Sequence, residues 1–372
     1  MKINRKTKLL RNSLFFLLIV SFSIFLIKCS TYKASFEGTA FEKHQSLENT
    51  GFTQSKLDSL NNFLENLETT GLLILQNGKI LFKYGDIEEI SYNASCRKSI
   101  LSILYGKYVE NGTIDLNQTI GDIGIEEEDG LLPQEKEATV NDIITARSGV
   151  FHIPANGGYD TENVLKRGAV KHGEYFLYNN WDFNVAGYIL ENKSGNSIYK
   201  ELEEQLAIPL GFQDWNIKNQ KKKHNKSKSK YPAYHMYLSV RDMAKIGQLM
   251  LNEGKWNGKQ IISKDWIEKT TTTVTPTDTV NKRRGLNKSS PFQFSYGYYW
   301  WLVDNFKHHP DFEGAYSATG YGGQFITIIP KLDIVVVHKT RFGLLHYLKL
   351  KYDVPSWQYW QLLHDYVATK RE

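Results

Sequence analysis

Strand-forming segments lie near both ends of the chain, and this separation constrains the fold more than any other feature of the sequence. Residues 71–84 are two apolar segments around Asn77-Gly78, which is a strong hairpin signal. Residues 324–338 are a second pair of apolar segments, separated by a turn at 330–333. The two hairpins predict one antiparallel sheet assembled from both ends of the chain.

The residues between the hairpins show helical periodicity. The clearest helical segments there are 140–145, 182–192 and 240–252, and further helices are predicted at 55–67, 95–109 and 357–368. We therefore predict an α/β (α+β) fold, in which an antiparallel β-sheet is flanked by helices and an all-helical lobe is inserted. The sheet lobe is expected from residues 51–110 and 291–370, and the helical lobe from about 111–290.

The first 28 residues have the composition of a targeting segment. A basic region that ends at Arg11 is followed by the apolar run 14–27, which is shorter than the ~20 residues needed to span a bilayer. We expect residues 1–28 to be a signal peptide or membrane anchor and residues 29–50 to be a tether.

Residues 26–29 resemble a lipoprotein cleavage box, in which Cys29 is lipidated. Lys28 replaces the small residue that precedes the cysteine in such boxes, so an uncleaved anchor is the alternative. Either arrangement predicts an exported globular body in the cell envelope, held at the inner membrane as an anchored protein or a lipoprotein.

The net charge of +6 does not indicate nucleic-acid binding, because the basic residues are concentrated in two segments. Residues 1–28 carry six basic side chains and no acid, and residues 218–230 carry seven lysines and no acid. Subtracting these thirteen charges from +6 leaves about −7 on the remainder of the chain. We interpret 218–230 as a solvated surface loop, with contact to an anionic lipid or polymer as the alternative. We expect a monomer that does not bind nucleic acid.

The cysteines indicate neither a disulfide nor a metal site. The chain has two, Cys29 in the targeting segment and Cys96 in the body, and their spacing is not that of metal ligands. His308 and His309 are adjacent, so their side chains point apart in a regular element. No metal and no other cofactor is expected.

A Ser-x-x-Lys motif places a hydroxyl and an amine one helical turn apart on the same face. Such a lysine can accept the serine proton if burial and the helix N-terminus lower its pKa. The chain has four such pairs: Ser30–Lys33, Ser95–Lys98, Ser197–Lys200 and Ser227–Lys230. A surface capping serine with a solvated lysine explains most such matches. Ser95 differs, because it follows the first hairpin and begins a strongly apolar helix, so Ser95 and Lys98 are the candidate catalytic pair.

Two further segments hold candidate site residues. Tyr178 and Asn180 lie just before an apolar helix, where a phenol could shuttle a proton and an amide could hold a substrate or the lysine. A helix-capping asparagine is the simpler interpretation. Residues 318–324 form a glycine-rich turn entering a strand, whose backbone could approach a ligand closely and direct an N–H at a developing oxyanion. A plain glycine turn is the alternative.

Together these three motifs resemble those of the serine β-lactamase/penicillin-binding-protein superfamily. The resemblance covers roughly residues 50–370 and extends to three further segments, 139–149, 239–247 and 296–301. The sequence looks most like the class C β-lactamase-related group, which contains esterases, D-aminopeptidases and 6-aminohexanoate-oligomer hydrolases.

The resemblance implies a serine hydrolase with Ser95 as acyl-forming nucleophile and Lys98 as its general base. Tyr178 would relay a proton to the leaving group and later serve the deacylating water. A lipase-type Ser-His-Asp triad is disfavoured, because the chain has no Gly-x-Ser-x-Gly sequence.

The resemblance also implies how a substrate is held. Asn180 would orient it, and the backbone N–H groups of Ser95 and Tyr321 would form the oxyanion hole. Gly320 and Gly322 would let the backbone lie close to the substrate.

In β-lactamases and D,D-peptidases the third motif begins with Lys or His. In this chain the corresponding residue is Ala318. Without that cation, neutral esters or amides are better candidates than β-lactams. Three function classes remain open. They are an exported hydrolase of small esters, amides or peptides; a cell-wall D-amino-acid peptidase, penicillin-binding protein or β-lactamase; and a non-catalytic binding protein. The presence of Ser95, Lys98 and Tyr178 favours an enzyme.

Overall fold

The structure, a computed structural model, describes residues 39–286, 291–307, 309–343 and 353–368. The strands in these residues are β1 (Gly71–Gln76), β2 (Lys79–Gly85), β3 (Ser91–Tyr92), β4 (Lys221–Lys223), β5 (Ala233–His235), β6 (Tyr237–Leu238), β7 (Lys255–Trp256), β8 (Lys259–Gln260), β9 (Phe292–Tyr296), β10 (Trp301–Phe306), β11 (Tyr316–Gly320), β12 (Gln324–Ile329) and β13 (Ile334–Lys339). Seven of these described strands form one antiparallel sheet in the order β2-β1-β13-β12-β11-β10-β9.

The helices of the described residues are α1 (Gln54–Leu64), α2 (Cys96–Glu110), α3 (Ile120–Ile123), α4 (Pro133–Lys136), α5 (Val140–Ile144), α6 (Asn180–Ser194), α7 (Ile198–Leu202), α8 (Ile208–Leu210), α9 (Val240–Leu251), α10 (Lys264–Thr270), α11 (Thr277–Arg283) and α12 (Ser356–Leu362). Short turns of tighter or wider pitch lie at Glu203–Ala207, Ile217–Asn219, Pro310–Phe312, Pro330–Leu332 and Leu363–Val367. The result is a mixed fold with a large antiparallel sheet flanked by helices, as the sequence predicted.

The sheet is assembled from both ends of the chain. β1 pairs with β13 from Gly71↔Lys339 to Gln76↔Ile334, and every residue of both strands is buried. These two strands lie in the interior of the sheet, which explains why both read as continuous apolar runs instead of alternating ones. The predicted joining of the two hairpins is confirmed.

Both predicted hairpin turns are present. Asn77 and Gly78 have φ values of 50° and 70°, so the turn between β1 and β2 uses the positive-φ geometry that matches the twist of the flanking strands. Asp333, with φ 51°, ends the turn between β12 and β13.

Helix α2 lies at the centre of the molecule. Twelve of its fifteen residues are buried, on all sides of the helix. It contacts β11 and β12 of the sheet on one side, and α6, α7 and α10 of the inserted lobe on the other. Any charged side chain near its start is therefore removed from water.

The inserted lobe is mainly helical, but the prediction that it is all-helical was wrong. It contains β4 to β8. β4 pairs with β5, β7 pairs with β8, and β6 pairs with β3, which belongs to the sheet lobe. These strands are only two or three residues long, too short for an alternating pattern to be visible in the sequence. The aromatic strands β9 and β10 of the main sheet were also not predicted.

Every lysine of the segment 218–230 is exposed, as expected for a solvated surface. It is not a loop throughout, because Lys221–Lys223 forms β4 and pairs with β5. Lysines on a short strand at the edge of a ribbon discourage pairing with other chains.

The folded domain extends further towards the N-terminus than residue 51. The amide of His44 donates to the carbonyl of Ile80, and the amide of Ile80 donates to the carbonyl of Glu42. The side-chain amide of Gln76 donates to the carbonyl of Thr50. Part of the predicted tether, residues 42–50, is thus bound to β1 and β2.

The predicted targeting segment 1–28 and Cys29 lie outside the described residues. Among the helices of the residues that are described, none combines the length and the hydropathy needed to cross a bilayer.

We expect Gly247→Ala to destabilise the fold. A Cβ at this position of α9 would overlap Cγ1 of Val335 and lie 3.0 Å from Cγ2 of Ile326 in the sheet. The gain in helix propensity, at most ~1 kcal/mol, is smaller than the usual overpacking cost of about 1–3 kcal/mol. Denaturant unfolding should therefore show a lower free energy of unfolding.

A double-mutant cycle tests the named contact. In a Val335→Ala background the added methyl group has room, so the same glycine substitution should cost less. An equal cost in both backgrounds would show that Val335 is not the obstacle.

Candidate active site

Ser95 lies at a tight turn between β3 and α2. The preceding residue, Ala94, is buried and has a φ of 47°, a left-handed conformation that is strained for a residue with a Cβ. Asn93 holds the turn, because its amide donates to the carbonyl of Met236 and its Oδ1 accepts from the amide of Leu238. Ser95 is thereby presented at the N-terminus of α2, where the helix dipole favours negative charge.

The side chain of Lys339 ties this turn to the main sheet. Its Nζ donates to the carbonyl of Ser91 at 2.8 Å, to Oδ1 of Asn93 at 2.9 Å and to the carbonyl of Leu238 at 2.6 Å. Burial lowers the pKa of Lys339 to about 7, and electrostatic interaction with Cys96 and Glu89 opposes this shift. The position of Ser95 therefore depends on the end of β13.

Cys96 packs beneath the site as a neutral thiol. It is buried, and its Sγ donates to the carbonyls of Ala318 and Gln324. Burial raises the pKa of the thiol to about 12, so Cys96 does not compete as a nucleophile. Ala318 is also buried, and it lines neither of the cavities described below.

Lys98 is buried, and its Nζ has no hydrogen-bond partner. The amine lies 4.0 Å from the ring centroid of Tyr178 and 3.8 Å from that of Phe183. Burial, followed by the positive charges of Arg97 and Arg284, places the pKa of Lys98 well below its usual range. The neutral amine, which can accept a proton, is therefore more accessible than in a solvated lysine.

The ring of Tyr178, which contacts the amine of Lys98, packs against other aromatic rings. Its ring centroid is 4.8 Å from that of Phe183 and 5.5 Å from that of Trp301. Burial raises the pKa of the phenol to about 12, although the nearby Ser95 hydroxyl and the positive charges of Arg284 and Arg97 oppose this shift. The phenol is therefore protonated near neutral pH and can donate a proton.

Asn180 is not the residue that caps the following helix. Asn179 is the N-cap, and its side chain accepts from the amide of Trp181. The side-chain amide of Asn180 instead donates to the carbonyl of Gly157, and its buried Oδ1 has no partner. This oxygen can accept a hydrogen bond from a ligand.

Gly320 ends β11 directly against the turn at Ser95. A Cβ built on it would lie 3.1 Å from the amide nitrogen of Ser95 and 2.8 Å from the carbonyl oxygen of Asn93, so this close approach requires glycine. Among the described residues, neither the amide of Ser95 nor that of Tyr321 donates a backbone hydrogen bond. Neither N–H is therefore committed to a backbone carbonyl of the described residues, and each can donate to a ligand.

The side chain of Tyr321 projects away from the protein and is 76% exposed. Its ring stacks on that of Phe342 at a centroid distance of 5.8 Å. Gly322, with φ +74°, lies under the same ring, and a Cβ there would overlap Phe342. Glycine at 322 therefore lets the turn between β11 and β12 fold under Phe342.

The predicted site residues line two adjoining cavities. Ser95, Lys98, Tyr178, Asn180 and Tyr321 contribute to a cavity of about 800 Å³. A neighbouring cavity of about 450 Å³ shares Ser95, Tyr178 and Tyr321 with the first and adds Gly320 and Gly322. The structure therefore brings together all the predicted site residues except Cys29, which lies outside the described residues.

Three cations in this site were not identified from the sequence: Arg97, Arg283 and Arg284. A signal for Arg97 was present, because a charged residue at the start of a helix that is apolar on all sides must be buried. Nothing local marks Arg284, which follows Lys282 and Arg283 and looks like part of a solvated basic run.

Within the described parts of the chain, no group of three or more His, Cys, Asp or Glu side chains is arranged to hold a metal ion. His309 contacts Asp311, and His308 lies outside the described residues.

A family model described as beta-lactamase matches residues 65–340, which include all seven strands of the main sheet and the whole inserted lobe. This chain belongs to the beta-lactamase family. The resemblance inferred from the three motifs is thus confirmed, and the antiparallel sheet with its flanking helices agrees with the fold of that family.

Individual relatives of this beta-lactamase family member are distant. An uncharacterised protein of Alkalihalophilus pseudofirmus is 23% identical over 264 residues, 66% of this chain and 71% of that protein. A Bacillus anthracis structure described as a 6-aminohexanoate-dimer hydrolase has a TM-score of 0.60 and 19% identity, with 89% of each chain covered. Unliganded simvastatin synthase from Aspergillus terreus has a TM-score of 0.62 and 12% identity, covering 85% of this chain and 98% of its own. These structural similarities show a shared fold.

We expect Gly320→Ala to slow the reaction of Ser95 with a fluorophosphonate by about tenfold to a hundredfold, because the added methyl group crowds the Ser95 amide. The second-order labelling rate, followed by intact mass, measures this effect. Gly258→Ala is the matched control. Gly258 has a φ of +76° and open space around an added Cβ, so its substitution strains the backbone without touching the cavities. Equal labelling rates for the two variants would contradict this role of Gly320.

Proposed function

We propose that this protein is a serine hydrolase that forms an acyl-enzyme at Ser95 and hydrolyses an ester or amide bond of a small substrate. Membership of the beta-lactamase family supports hydrolase chemistry. The observation that carries the proposal is the buried Lys98 amine, which has no hydrogen-bond partner and lines the same cavity as Ser95 and Tyr178. An unpartnered amine is costly to bury, and such groups are concentrated at functional sites.

In the acylation step, Ser95 Oγ attacks the carbonyl carbon and gives its proton to the neutral amine of Lys98. The carbonyl oxygen becomes an oxyanion that accepts hydrogen bonds from the amides of Ser95 and Tyr321. When the tetrahedral intermediate collapses, the bond to the leaving group breaks and the leaving group takes a proton from Tyr178. The Lys98 ammonium then returns a proton to Tyr178.

In the deacylation step, water attacks the acyl carbon and its proton passes through the Tyr178 hydroxyl to Lys98. The bond between the acyl carbon and Ser95 Oγ breaks, and Ser95 recovers a proton from Lys98. The products are a carboxylic acid and the leaving group, and the enzyme returns to its starting protonation state. In this proposal Asn180 Oδ1 accepts from an N–H of an amide substrate, which is supported by its lack of a partner and by the position of Asn180 in the cavity wall.

The two pKa shifts favour Lys98 as the base. Burial raises the pKa of Tyr178 to about 12, so the phenolate is scarce at neutral pH. Burial lowers the pKa of Lys98, so its neutral form is accessible. Tyr178 is better suited to pass a proton on than to begin the reaction as a base.

We also propose that residues 1–28 carry the folded body to the cell envelope. The support is the basic region followed by the apolar run 14–27. The body would be held at the inner membrane either through lipidated Cys29 or by an uncleaved anchor, and it would act as a monomer.

Intact-mass analysis of the full-length chain treated with a fluorophosphonate is expected to show one adduct, which is absent from Ser95→Ala. Ser99→Ala is the matched control, because Ser99 lies one helical turn along α2, is buried and donates to the carbonyl of Tyr299. An adduct that persists in Ser95→Ala would overturn the assignment of the nucleophile.

The same measurement with a penicillin separates the classes of function. A lasting penicillin adduct on Ser95 would favour a peptidase that acts on cell-wall D-amino-acid peptides. A fluorophosphonate adduct without a penicillin adduct would favour esters or amides. Failure of both reagents to label the chain would favour a non-catalytic binding protein.

The value of kcat/KM for a neutral ester is expected to rise with pH along a single limb, because only the neutral amine of Lys98 can accept the Ser95 proton. The midpoint of this limb should lie well below the ordinary lysine value of 10.5, since burial and two arginine charges lower the pKa of Lys98. No fall is expected on the alkaline side until Tyr178 ionises, at about 12. Rates corrected for spontaneous hydrolysis provide the measurement, and a midpoint near the ordinary lysine value would contradict the role of Lys98.

A further inference from the structure

The turn between β11 and β12, residues 321–323, carries the amide of Tyr321 and then two glycines. Gly322 and Gly323 have φ values of 74° and 84°, in the left-handed region that glycine enters without strain. The same freedom means that two successive glycines do not hold one backbone conformation by themselves. Contacts from outside the turn must therefore fix the direction of the Tyr321 amide.

The imidazole of His338 holds the carbonyl of Gly323. Its Nδ1 lies 2.7 Å from that oxygen, and among the described residues no backbone amide donates to the same carbonyl. A carbonyl oxygen can only accept, so Nδ1 carries the proton. On the other side of the ring, Nε2 lies 2.9 Å from Oγ1 of Thr69 and accepts from that hydroxyl. The two contacts fix one neutral tautomer of His338.

His338 is fully buried and lines neither of the two cavities, so it acts only through the turn. Its ring centroid lies 6.2 Å from that of Phe325 and 5.6 Å from that of Tyr359. Burial lowers the pKa of His338 to about 4, and the hydrogen bond to Gly323 opposes this shift. The ring is therefore neutral near neutral pH, as the two contacts require.

A second side chain ties the same turn to the end of β13. Nε2 of Gln324 donates to the carbonyl of Gly322 at 3.0 Å and to that of Thr340 at 2.6 Å. A Cβ on Gly323 would lie 2.7 Å from Oγ1 of Thr340 and 3.3 Å from Cε1 of His338. Glycine at 323 therefore lets the turn approach the strand end closely enough to accept from the imidazole.

His338 and Lys339 are consecutive residues of β13, and successive side chains of a strand point to opposite faces of the sheet. On one face, Nζ of Lys339 binds the turn that precedes Ser95. On the other face, Nδ1 of His338 binds the turn that follows β11. The two turns that carry the amides of Ser95 and Tyr321 are thus both attached to one strand end.

We propose that His338 is a positioning residue, which acts through the Gly323 carbonyl to hold the Tyr321 amide in the direction that the oxyanion requires. The inference rests on the proposed function and goes beyond it, because that function assigns no role to His338. An oxyanion donor is effective only when its direction is set before the reaction begins. The imidazole N–H supplies this constraint where the backbone of two glycines does not.

The test uses p-nitrophenyl acetate and its thiono analogue, in which sulfur replaces the carbonyl oxygen. Sulfur is a weaker hydrogen-bond acceptor on a longer bond, so donors placed for an oxyanion stabilise the sulfur anion poorly. The measured quantity is the ratio of kcat/KM for the oxygen ester to kcat/KM for the thiono ester, after each value is divided by the rate of hydroxide-catalysed hydrolysis. In the full-length wild-type chain this ratio should be about a hundredfold or more.

Two substitutions of His338 separate the N–H of the imidazole from its bulk. His338→Gln places its amide near the position of Nε2 and leaves the Gly323 carbonyl without its donor, so the ratio should fall by about tenfold or more. His338→Asn places its amide nitrogen near the position of Nδ1, so the ratio should stay within about threefold of wild type. A general loss of stability acts on both esters and cancels in the ratio.

Tyr359→Phe is the matched control. The ring of Tyr359 lies 5.6 Å from that of His338, and its hydroxyl donates to Oγ1 of Thr327. The substitution therefore removes one buried hydrogen bond from the same part of the core without changing a contact of the turn. It should lower the free energy of unfolding by about 1 kcal/mol and leave the ratio unchanged.

The outcomes distinguish this proposal from the proposed function. If wild type prefers the oxygen ester and His338→Gln keeps the preference, the hydrolase stands and the role of His338 is wrong. An equal loss in His338→Gln and His338→Asn also overturns that role, because it would show that the N–H is not what matters. If His338→Gln does not fold, the double variant Thr69→Val/His338→Val decides the matter, since it replaces the buried pair with apolar side chains. No hydrolysis of either ester together with no fluorophosphonate adduct would instead reject the proposed function.

Discussion

The pairing of β1 with β13 is the contact on which the site depends. It joins segments from opposite ends of the chain and buries every residue of both strands. It also sets the end of β13, from which Lys339 reaches three oxygens around the turn that precedes Ser95. β12 and β11 follow in the same sheet, and they bring Gly320 to within contact of the Ser95 amide. One ladder of hydrogen bonds thus places both Ser95 and the strand end that faces it.

Burial of positive charge is the second organising feature. Three buried cations lie around Ser95: Arg97, Lys98 and Lys339. Arg97 and Lys98 follow Ser95 in α2, and Lys339 binds the turn that precedes Ser95. Each is accommodated differently, because Lys339 has three oxygen acceptors, Lys98 has only aromatic rings nearby, and Arg97 has one ring and an unpartnered nitrogen. The better satisfied cation is structural, and the poorly satisfied ones are those that face the cavity. An amine that is buried without an acceptor has a lowered pKa, which is the property that a proton-accepting lysine requires.

The cations of the cavity lie on elements other than the strand that carries the third motif. The beta-lactamase family fold supplies the sheet, the buried helix and the turn at Ser95, and all of these are present here. At the position of the third-motif cation this chain has Ala318, whose carbonyl accepts from the thiol of Cys96. Positive charge enters the cavity instead from Arg97 within the Ser-x-x-Lys segment and from Arg284 at a helix end.

The sequence by itself determined the features that depend on neighbours along the chain. The Asn77-Gly78 turn, the strand at Gln324–Ile329 and the start of α2 next to Ser95 were all predicted, because turn chemistry and periodicity are local. The strands of the inserted lobe are only two or three residues long, which is too short for an alternating pattern to be recognised. β9 and β10 are rich in aromatic residues, which occur both in a protein core and in the wall of a cleft, so their composition did not identify them as strands. Only the tertiary structure decided the lowered pKa of Lys98, the contacts of Lys339 and the burial of Arg97. Each depends on which distant groups surround a buried charge, and desolvation and long-range contacts leave no trace in local sequence.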